Sequence, residues 1–261
     1  MCDAGGGYRG KLSADDIYAQ IDYLVKKRFP DGSVDVDKFK IQFARMGEPA
    51  FNPAVLDVLE SLKTRYNAPG LIPSLSTIAP EGCDEFFKRL LEIKDEHYRK
   101  RFQLQFSIHT TDPVMRQWLI PVKTWPFEKL KEYGESFFDR GGRKITLNFA
   151  LGDNMKIDPE VLRKYFPPDL FIVKITPVNP TFRALENGIN SFIRPEEDEI
   201  KLPHKNRYPV KNLQDAGYDV IMSLGEPEEN LIGSNCGQYL EAYERNRKGI
   251  KGGYEYEIHR K

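Results

Sequence analysis

Residues 39–49 read FKIQFARMGEP, and this stretch decides the fold. Apolar and polar side chains alternate over residues 39–44, as in a β-strand, and Gly47 and Pro49 then end the regular structure. The stretch therefore predicts a strand that runs directly into a loop. Gly47 and Glu48 place flexible backbone and a carboxylate in that loop, where they could bind an amino group. An ordinary turn explains the same residues equally well.

The same succession of strand and helix returns along the rest of the chain. Because successive strand–helix units favour a parallel sheet, we predict an α/β protein built as a barrel or partial barrel. The chain opens on a glycine-rich loop and a helix, so either a strand upstream is absent from this chain or the barrel is open on that side. The predicted strands are 39–44, 72–77, 102–109, 144–150 and 170–176, the predicted helices are 13–27, 53–65, 84–96, 126–139 and 159–165, and a short helix and strand fall within 213–223.

The composition is that of a globular protein. Hydrophobic residues make up 40% and charged residues 30% of the 261 positions, which excludes disordered and fibrous classes. No apolar stretch approaches the roughly 20 residues of a membrane span, and residues 1–16 lack the regions of a signal peptide. We therefore expect a cytoplasmic protein with no membrane partner. Because 39 basic residues balance 39 acidic ones, any contact with nucleic acid must be a local patch.

The three cysteines are far apart and odd in number, which favours reduced thiols over a disulfide framework. They are Cys2, Cys83 and Cys236. Cys236 lies in GSNCGQ, where small neighbours leave the sulfur approachable. The same sequence is also compatible with a buried thiol that packs as a small hydrophobic residue.

Candidate residues follow the predicted strands, where parallel barrels place their ligand sites. His109 stands at such a strand end, which favours a role as a ligand or base. A lone histidine is, however, more often a hydrogen-bonded structural residue. The basic runs 97–101 and 245–248 indicate solvated surfaces more than RNA contacts. Arg99, Lys100 and Arg101 could still form a local RNA-binding patch together with the C-terminal tail.

Seven motifs occur along the chain in a fixed order. They are CDAGGGYRGKLSADDIYAQI (2–21), MGEPAFN (46–52), LST (75–77), FSIHTTDPVMRQWLIP (106–121), LGDN (151–154), ITPVNP (175–180) and NCGQ (235–238). Each motif is weak alone, but their order is specific. In these motifs the chain resembles the RlmN/Cfr-type branch of radical SAM enzymes, from Cys2 to about Tyr239.

The resemblance implies a partial (β/α)6 barrel that binds a [4Fe-4S] cluster and S-adenosyl-L-methionine (SAM). Cys2 matches the third cysteine of the cluster loop, and Cys236 matches the cysteine that accepts a methyl group in the RNA-methylating members. Gly47 and Glu48 match the motif that binds the methionine amino group of SAM. The implied reaction is methylation of an adenine in rRNA or tRNA, with an external electron donor such as flavodoxin or ferredoxin. Other SAM-contacting positions are matched by Ser76, Ser107, Ile108, His109 and Asn179.

The sequence departs from the family pattern at two places. The first two cluster cysteines and the first strand have no counterpart, so we expect Met1 to be an internal methionine of a longer protein and this chain alone to lack the cluster. STIAP (76–80) stands where the RNA methylases carry STSG, and the loop at 2–12 lacks their RNL motif. Two alternatives therefore stay open: a radical SAM enzyme acting on a small molecule or peptide, and a non-catalytic module that binds SAM or RNA.

The chain is expected to divide into two regions. Residues 1–180 form the barrel core, and residues 181–261 form a C-terminal extension that carries the Cys236 loop. Within the extension, residues 181–211 are rich in charge and are expected to leave the barrel as an excursion.

Overall fold

A single parallel sheet organises the described part of the chain. The computed structural model describes residues 2–5, 8, 10–152, 155–190 and 204–223. Within these residues six parallel strands lie side by side in the order in which they follow one another in the sequence. The strands are β1 (Phe39–Phe43), β2 (Leu71–Thr77), β3 (Gln103–Ser107), β4 (Ile145–Leu151), β5 (Phe171–Pro177) and β6 (Val220–Met222).

Helices connect these strands and precede the first of them. The first helix starts as predicted, because the Ser13 hydroxyl accepts a hydrogen bond from the Asp16 N–H at 3.1 Å and the Asp16 carboxylate accepts one from the Ser13 N–H at 2.9 Å. This capping box satisfies amides that the helix geometry leaves unpaired. The helices are α1 (Ala14–Arg28), α2 (Ala54–Arg65), α3 (Asp84–His97), α4 (Pro113–Leu119), α5 (Phe127–Phe137), α6 (Pro159–Tyr165), α7 (Phe182–Glu186) and α8 (His204–Asp215), with short 3-10 turns at Asp3–Gly5 and Pro49–Phe51.

The strand order determines which face of the sheet the helices cover. Parallel crossovers turn in one right-handed sense, so an unbroken order from β1 to β6 puts the connecting helices on the same side. The side chains on that side are apolar and buried, as at Leu75, Phe106, Leu147 and Val173. The alternate residues form the opposite, inner face, which is mostly polar. Its polar residues are Lys40, Gln42, Ser74, Ser76, Gln103, Gln105, Ser107, Thr146, Asn148, Lys174 and Thr176.

A sheet with helices on one side and consecutive strand order is the architecture of a barrel or partial barrel. The predicted α/β fold class is confirmed. Among the described residues before Phe39 there is α1 but no strand. No helix within the described ranges is long and apolar enough to cross a membrane.

Three helices differ from the sequence prediction, and one of them, α7, lies in the segment expected to leave the barrel. Helix α4 was not predicted; Asp112 caps it by accepting hydrogen bonds from the N–H groups of Val114 and Met115 at 2.9 and 3.1 Å. Helix α8 begins at His204, inside the segment expected to be an excursion, rather than near residue 213. The sheet also continues past residue 180, because β6 pairs with β5. The division of the chain at residue 180 stays a prediction.

Candidate functional site

The loop after β1 and the end of β2 meet at the carboxyl edge of the sheet, and Glu48 joins them. One carboxylate oxygen, Oε1, accepts hydrogen bonds from the Thr77 hydroxyl at 2.5 Å and from the Ala50 N–H at 3.1 Å. The other oxygen, Oε2, accepts one from the Ile78 N–H at 3.0 Å. Because β1 and β2 are adjacent and parallel, their carboxyl ends bring these groups together.

With the donors that the described residues supply, the carboxylate of Glu48 keeps one unused acceptor position. A carboxylate offers about four lone-pair positions, and the three protein donors use two on Oε1 and one on Oε2. Burial raises the pKa of Glu48, and the hydrogen bonds from Thr77, Ile78 and Ala50 act in the opposite direction. A cationic donor placed at Oε2 would complete the set and offset the cost of burying the charge.

Gly47 gives the loop before Glu48 its backbone shape. Its φ is 90°, and at Arg45 φ is 79°, so the chain turns twice through the left-handed region between the strand and the carboxylate. A Cβ added at Gly47 would meet no atom within 4 Å. The glycine therefore serves the conformation of the turn, since nothing packs against its α-carbon.

Ser76 and Ser107 both lie on the inner face near the carboxyl ends of their strands. Ser76 of β2 is in register with Gln105 of β3, and Ser107 of β3 is in register with Asn148 of β4. Both serines are partly exposed. Their hydroxyl groups therefore face the inside of the sheet, where a ligand can reach them.

His109 has a defined tautomer. Its Nδ1 accepts a hydrogen bond from the Ala150 N–H at 3.2 Å, so the proton of the neutral ring is on Nε2. Burial, reinforced by the positive charge of Arg116, lowers the pKa of His109 to about 4. His109 is therefore a neutral Nε2–H donor at neutral pH.

The backbone at the end of β3 sets the orientation of the His109 imidazole. The N–H groups of Ile108 and His109 both donate to the carbonyl of Asn148, at 2.9 and 3.1 Å, and φ of His109 is 65°. Two successive donors on one acceptor end the regular ladder, and the left-handed residue redirects the chain. The Ile108 side chain is fully buried in the core.

Asn179 and the start of the chain lie together at the carboxyl end of β5. The carbonyl of Asn179 accepts a hydrogen bond from the Thr181 N–H at 2.8 Å. The buried carboxylate of Asp3 accepts hydrogen bonds from the N–H groups of Phe182 and Arg183, at 3.1 and 3.0 Å. Cys2, next to Asp3, is exposed. The structure thus places the predicted residues Cys2, Glu48, Ser76, Ser107, His109 and Asn179 at one end of the sheet.

Sequence reasoning assigned no role to three residues that support this edge: Thr77, Asp3 and Arg116. Thr77 follows Ser76 directly, but the alternation of the strand turns its side chain to the opposite face, toward Glu48. No sequence pattern indicated a role for Asp3. Arg116 is buried on α4, and its guanidinium donates to the Trp125 carbonyl at 3.1 Å and to the Ile78 carbonyl at 3.5 Å. Burial lowers the pKa of Arg116 to about 10.

Two predicted features cannot be placed on this edge. Cys236 and the Asp153–Asn154 pair lie outside the described residues. Within the described ranges, no group of three His, Cys, Asp or Glu side chains could hold a metal ion. The described cysteines are Cys2, which is exposed, and Cys83, which is half-buried before α3.

Comparison with known proteins finds relatives that are named as RNA methyltransferases. A probable dual-specificity RNA methyltransferase RlmN of Frankia casuarinae is 24% identical, over 91% of this chain and 54% of that protein. A probable dual-specificity RNA methyltransferase RlmN 3 of Opitutus terrae is 29% identical over 87% of this chain, and a ribosomal RNA large subunit methyltransferase Cfr of Lachnoclostridium phytofermentans is 24% identical over 84%. The resemblance to the RlmN/Cfr-type radical SAM family is confirmed.

The fold agrees with that family resemblance. A radical SAM methyltransferase from Sphaerobacter thermophilus superimposes with a TM-score of 0.62 at 20% identity, over 91% of this chain and 64% of that one. No protein-family model matches the chain. The chain spans between 54% and 63% of the length of the three RlmN/Cfr relatives named above.

Proposed function

We propose that the carboxyl edge of this sheet binds SAM and that the chain is the SAM-binding barrel of an RlmN/Cfr-type RNA methyltransferase. The observation that carries the proposal is the Glu48 carboxylate, which three protein donors hold in place and which keeps one acceptor position at Oε2. The positively charged amino group of a methionine moiety fits that position in charge and in hydrogen-bonding capacity.

The other residues of the edge suit the remaining parts of SAM. Ser76 and Ser107 offer hydroxyl groups on the inner face, and neutral His109 offers an Nε2–H donor. Asn179 lies at the end of β5, on the same edge. These groups are polar and uncharged, which suits the ribose and the adenine ring.

A [4Fe-4S] cluster of the family type needs three cysteine ligands in one loop. Cys2 matches one of them, but the described residues contain no group of three side chains able to hold a metal ion. The described residues therefore fit the SAM side of such a site and do not fit the cluster. A flavodoxin or ferredoxin partner depends on the cluster and has no support beyond the resemblance.

Methyl transfer to an adenine of rRNA or tRNA is the reaction that we propose for the family-type protein. The relatives are named as RNA methyltransferases, and the resemblance at the NCGQ motif supports Cys236 as the methyl acceptor. SAM would supply the methyl group in that step, and the Cys236 thiolate would form the S–CH3 bond. The sulfonium–methyl bond would break with its electron pair going to sulfur, and S-adenosylhomocysteine would leave.

The test of SAM binding is equilibrium dialysis with labelled SAM on the parent chain and on Glu48→Gln. Glutamine keeps the size and an acceptor oxygen but removes the negative charge, so the affinity should fall about tenfold or more. Glu81→Gln is the matched control, because Glu81 is exposed in the loop after β2 and is not among the hydrogen-bond partners of Glu48. Equal affinity of the parent and Glu48→Gln for SAM contradicts the proposal.

The methyl-acceptor assignment is tested separately, in the protein with the two upstream cluster cysteines present. Mass spectrometry should find a methyl thioether on Cys236, and Cys236→Ala should keep SAM binding while losing RNA methylation. RNA methylation by Cys236→Ala at the parent rate rules the assignment out. A full-length protein that binds SAM but never methylates RNA favours the non-catalytic alternative.

A further inference from the structure

Two loops lie together at the amino ends of β3 and β4, opposite to the carboxyl edge of the sheet. Residues 98–101 precede β3 and residues 139–144 precede β4, and the two strands are paired. The Lys100 N–H donates to the Asp139 carboxylate at 2.8 Å. A Cβ added at Gly142 would lie 3.0 Å from the α-carbon of Lys100. The backbones of the two loops are therefore packed against each other.

These two loops carry a local excess of positive charge. Asp139 is the one carboxylate in residues 98–101 and 139–144, and it is already occupied by the Lys100 N–H and by Lys94, whose Nζ lies 3.3 Å away. Five basic side chains of the loops are exposed, and none of them makes an ion pair with another described residue. They are Arg99, Lys100, Arg101, Arg140 and Arg143, here called the basic end of the sheet.

Three members of the basic end surround the Asp139 carboxylate. The side chains of Lys100 and Arg143 line one small crevice together with Asp139. Burial acts to raise the pKa of Asp139, but the Lys100 N–H and the charges of Lys94 and Arg99 hold it below its ordinary value. Arg99 therefore lies within electrostatic reach of the same carboxylate.

The same two loops place the remaining two members. Arg101 follows Lys100 directly. Arg140 follows Asp139 in a turn, which is closed by a hydrogen bond from the Gly142 N–H to the Asp139 carbonyl at 2.8 Å. Neither arginine side chain makes a hydrogen bond to a described residue. All five charges thus stand on two adjoining loops at one end of the sheet.

Several other exposed basic side chains lie next to a carboxylate instead. Arg65 pairs with Asp22 at 2.6 Å, and Lys211 pairs with Asp215 at 2.7 Å. Such pairs leave little net charge at the surface. Since the whole chain has a formal net charge of zero, the five cations of the basic end, which have no carboxylate partner within the described residues, produce a local positive potential.

The form of the basic end indicates the class of its partner. Four of its five members are arginines, whose planar guanidinium groups bind phosphate oxygens through two parallel hydrogen bonds. The charges stand on exposed loops rather than in a deep pocket, so they suit an extended polyanion better than a small anion. We propose that the basic end binds the phosphate backbone of RNA. The choice of RNA rests on the function proposed above.

The basic end is remote from the site at Glu48. Strand β4 runs from Ile145 to Leu151 between the two, and at 3.3 Å per residue it separates them by about 20 Å. Phosphate contacts at this distance fix the position of the RNA without reading its sequence. An acidic electron-donor protein fits this surface less well, because it would have to reach the opposite edge, where Cys2 lies. The basic run 245–248 lies outside the described residues.

The test measures binding of a labelled single-stranded oligoribonucleotide to the whole chain at a series of salt concentrations, without SAM. The variant is Arg101→Gln/Arg140→Gln. Loss of two phosphate contacts should lower the affinity about tenfold or more at low salt and reduce the slope of log K against log salt by about 1.4. The melting temperature should not change, because neither side chain bonds to a described residue. Arg89→Gln/Arg163→Gln is the matched control, since it removes the same charge from exposed positions on α3 and α6.

The outcomes separate this proposal from its rivals. A parent chain that does not bind the oligoribonucleotide, an Arg101→Gln/Arg140→Gln chain that binds it as the parent does, or an equal loss in the control overturns the proposal. Polyglutamate of equal charge should displace the oligoribonucleotide at least about tenfold less well than unlabelled RNA; equal displacement indicates an acidic protein partner and also overturns it. Glu48→Gln should bind the oligoribonucleotide like the parent, so a failure of SAM binding and a failure of RNA binding are read separately.

Discussion

The Oε2 atom of Glu48 accepts a hydrogen bond from the backbone N–H of Ile78 at 3.0 Å, although the two residues stand 30 positions apart. The bond connects the loop after β1 to the loop after β2. A carboxylate on a flexible, glycine-containing loop is thereby fixed against the rigid end of a neighbouring strand. Binding sites built in this way lose little conformational entropy when a ligand arrives.

Thr77→Val tests how much this fixation depends on one hydroxyl group. The Thr77 hydroxyl donates to Glu48 and accepts from the Ala79 N–H at 2.9 Å, and valine can do neither. We expect the free energy of unfolding in urea to fall by about 1–3 kcal/mol, and SAM affinity to fall with it. Thr64→Val, at an exposed position of α2, is the control. An unchanged free energy of unfolding for Thr77→Val would show that the hydrogen bonds of the Thr77 hydroxyl with Glu48 and Ala79 do not stabilise the fold.

The stability of the protein should depend on the ionisation of Glu48. Burial raises the pKa of Glu48 above its ordinary value of 4.5, so the folded state holds this proton to higher pH than the unfolded chain does. The resulting stabilisation is fully present below pH 4.5 and is lost as pH rises through the raised pKa. Glu48→Gln cannot titrate.

The free energies of unfolding of Glu48→Gln and of the parent should therefore diverge with pH. We expect the difference, variant minus parent, to increase from pH 4.5 upward and then to level off. Urea unfolding at a series of pH values measures it. A difference that is constant over pH 4 to 8 would show that the carboxyl titrates alike in both states.

His109 should remain neutral in mildly acidic solution. Its pKa is lowered to about 4, mainly by burial, from an ordinary value of 6.5. The unfolded chain takes up a proton first, so the stability contributed by neutral His109 is present above pH 6.5 and is lost as pH falls toward about 4. Nitrogen NMR of the imidazole should report an Nε2–H tautomer that does not change between pH 8 and 5.5.

His109→Asn is the informative variant at this position. Asparagine tolerates the positive φ of 65° and carries an acceptor oxygen, but it has no titrating group. Its stability should therefore decline less than that of the parent between pH 6.5 and 4. A histidine that titrates near 6.5, or that carries its proton on Nδ1, is incompatible with the hydrogen bond from Ala150.

Asp3→Ala tests the attachment of the chain start to the end of β5. The substitution removes the acceptor of the Phe182 and Arg183 N–H groups, at a cost of about 1–2 kcal/mol in the free energy of unfolding. Hydrogen exchange at these two amides should accelerate, while Asp3→Asn, which keeps one acceptor oxygen, should have a smaller effect. Unchanged exchange in Asp3→Ala would show that α7 does not need this carboxylate.

The sequence predicts the sheet better than the helices that lie outside regular strand–helix units. The alternation at residues 39–44 predicts β1, which spans Phe39–Phe43, because period-two burial is visible in the side chains themselves. The start of helix α8 was not predicted, since the polar and charged composition of residues 204–212 shows no clear apolar period. A helix before β6 fits the need to bring the chain back to the sheet.

The residues of the candidate site could likewise be predicted from the sequence only in part. Glu48, Ser76, Ser107, His109 and Asn179 could be selected because each follows or ends a predicted strand. The partners that fix them had no assigned role: Thr77 was noted only as part of the LST motif, and the N–H groups of Ile78 and Ala150 belong to the backbone. Hydrogen bonds between distant parts of the chain depend on register, which one sequence does not specify.

The most direct measurement of the central claim is a crystal structure of this chain with S-adenosylhomocysteine, which carries the same amino-acid and nucleoside parts as SAM. The account predicts that the ligand lies at the carboxyl edge of the sheet, with its amino group about 3 Å from Oε2 of Glu48. A ligand bound elsewhere, or one whose amino group lies beyond hydrogen-bonding distance of Glu48, would contradict it.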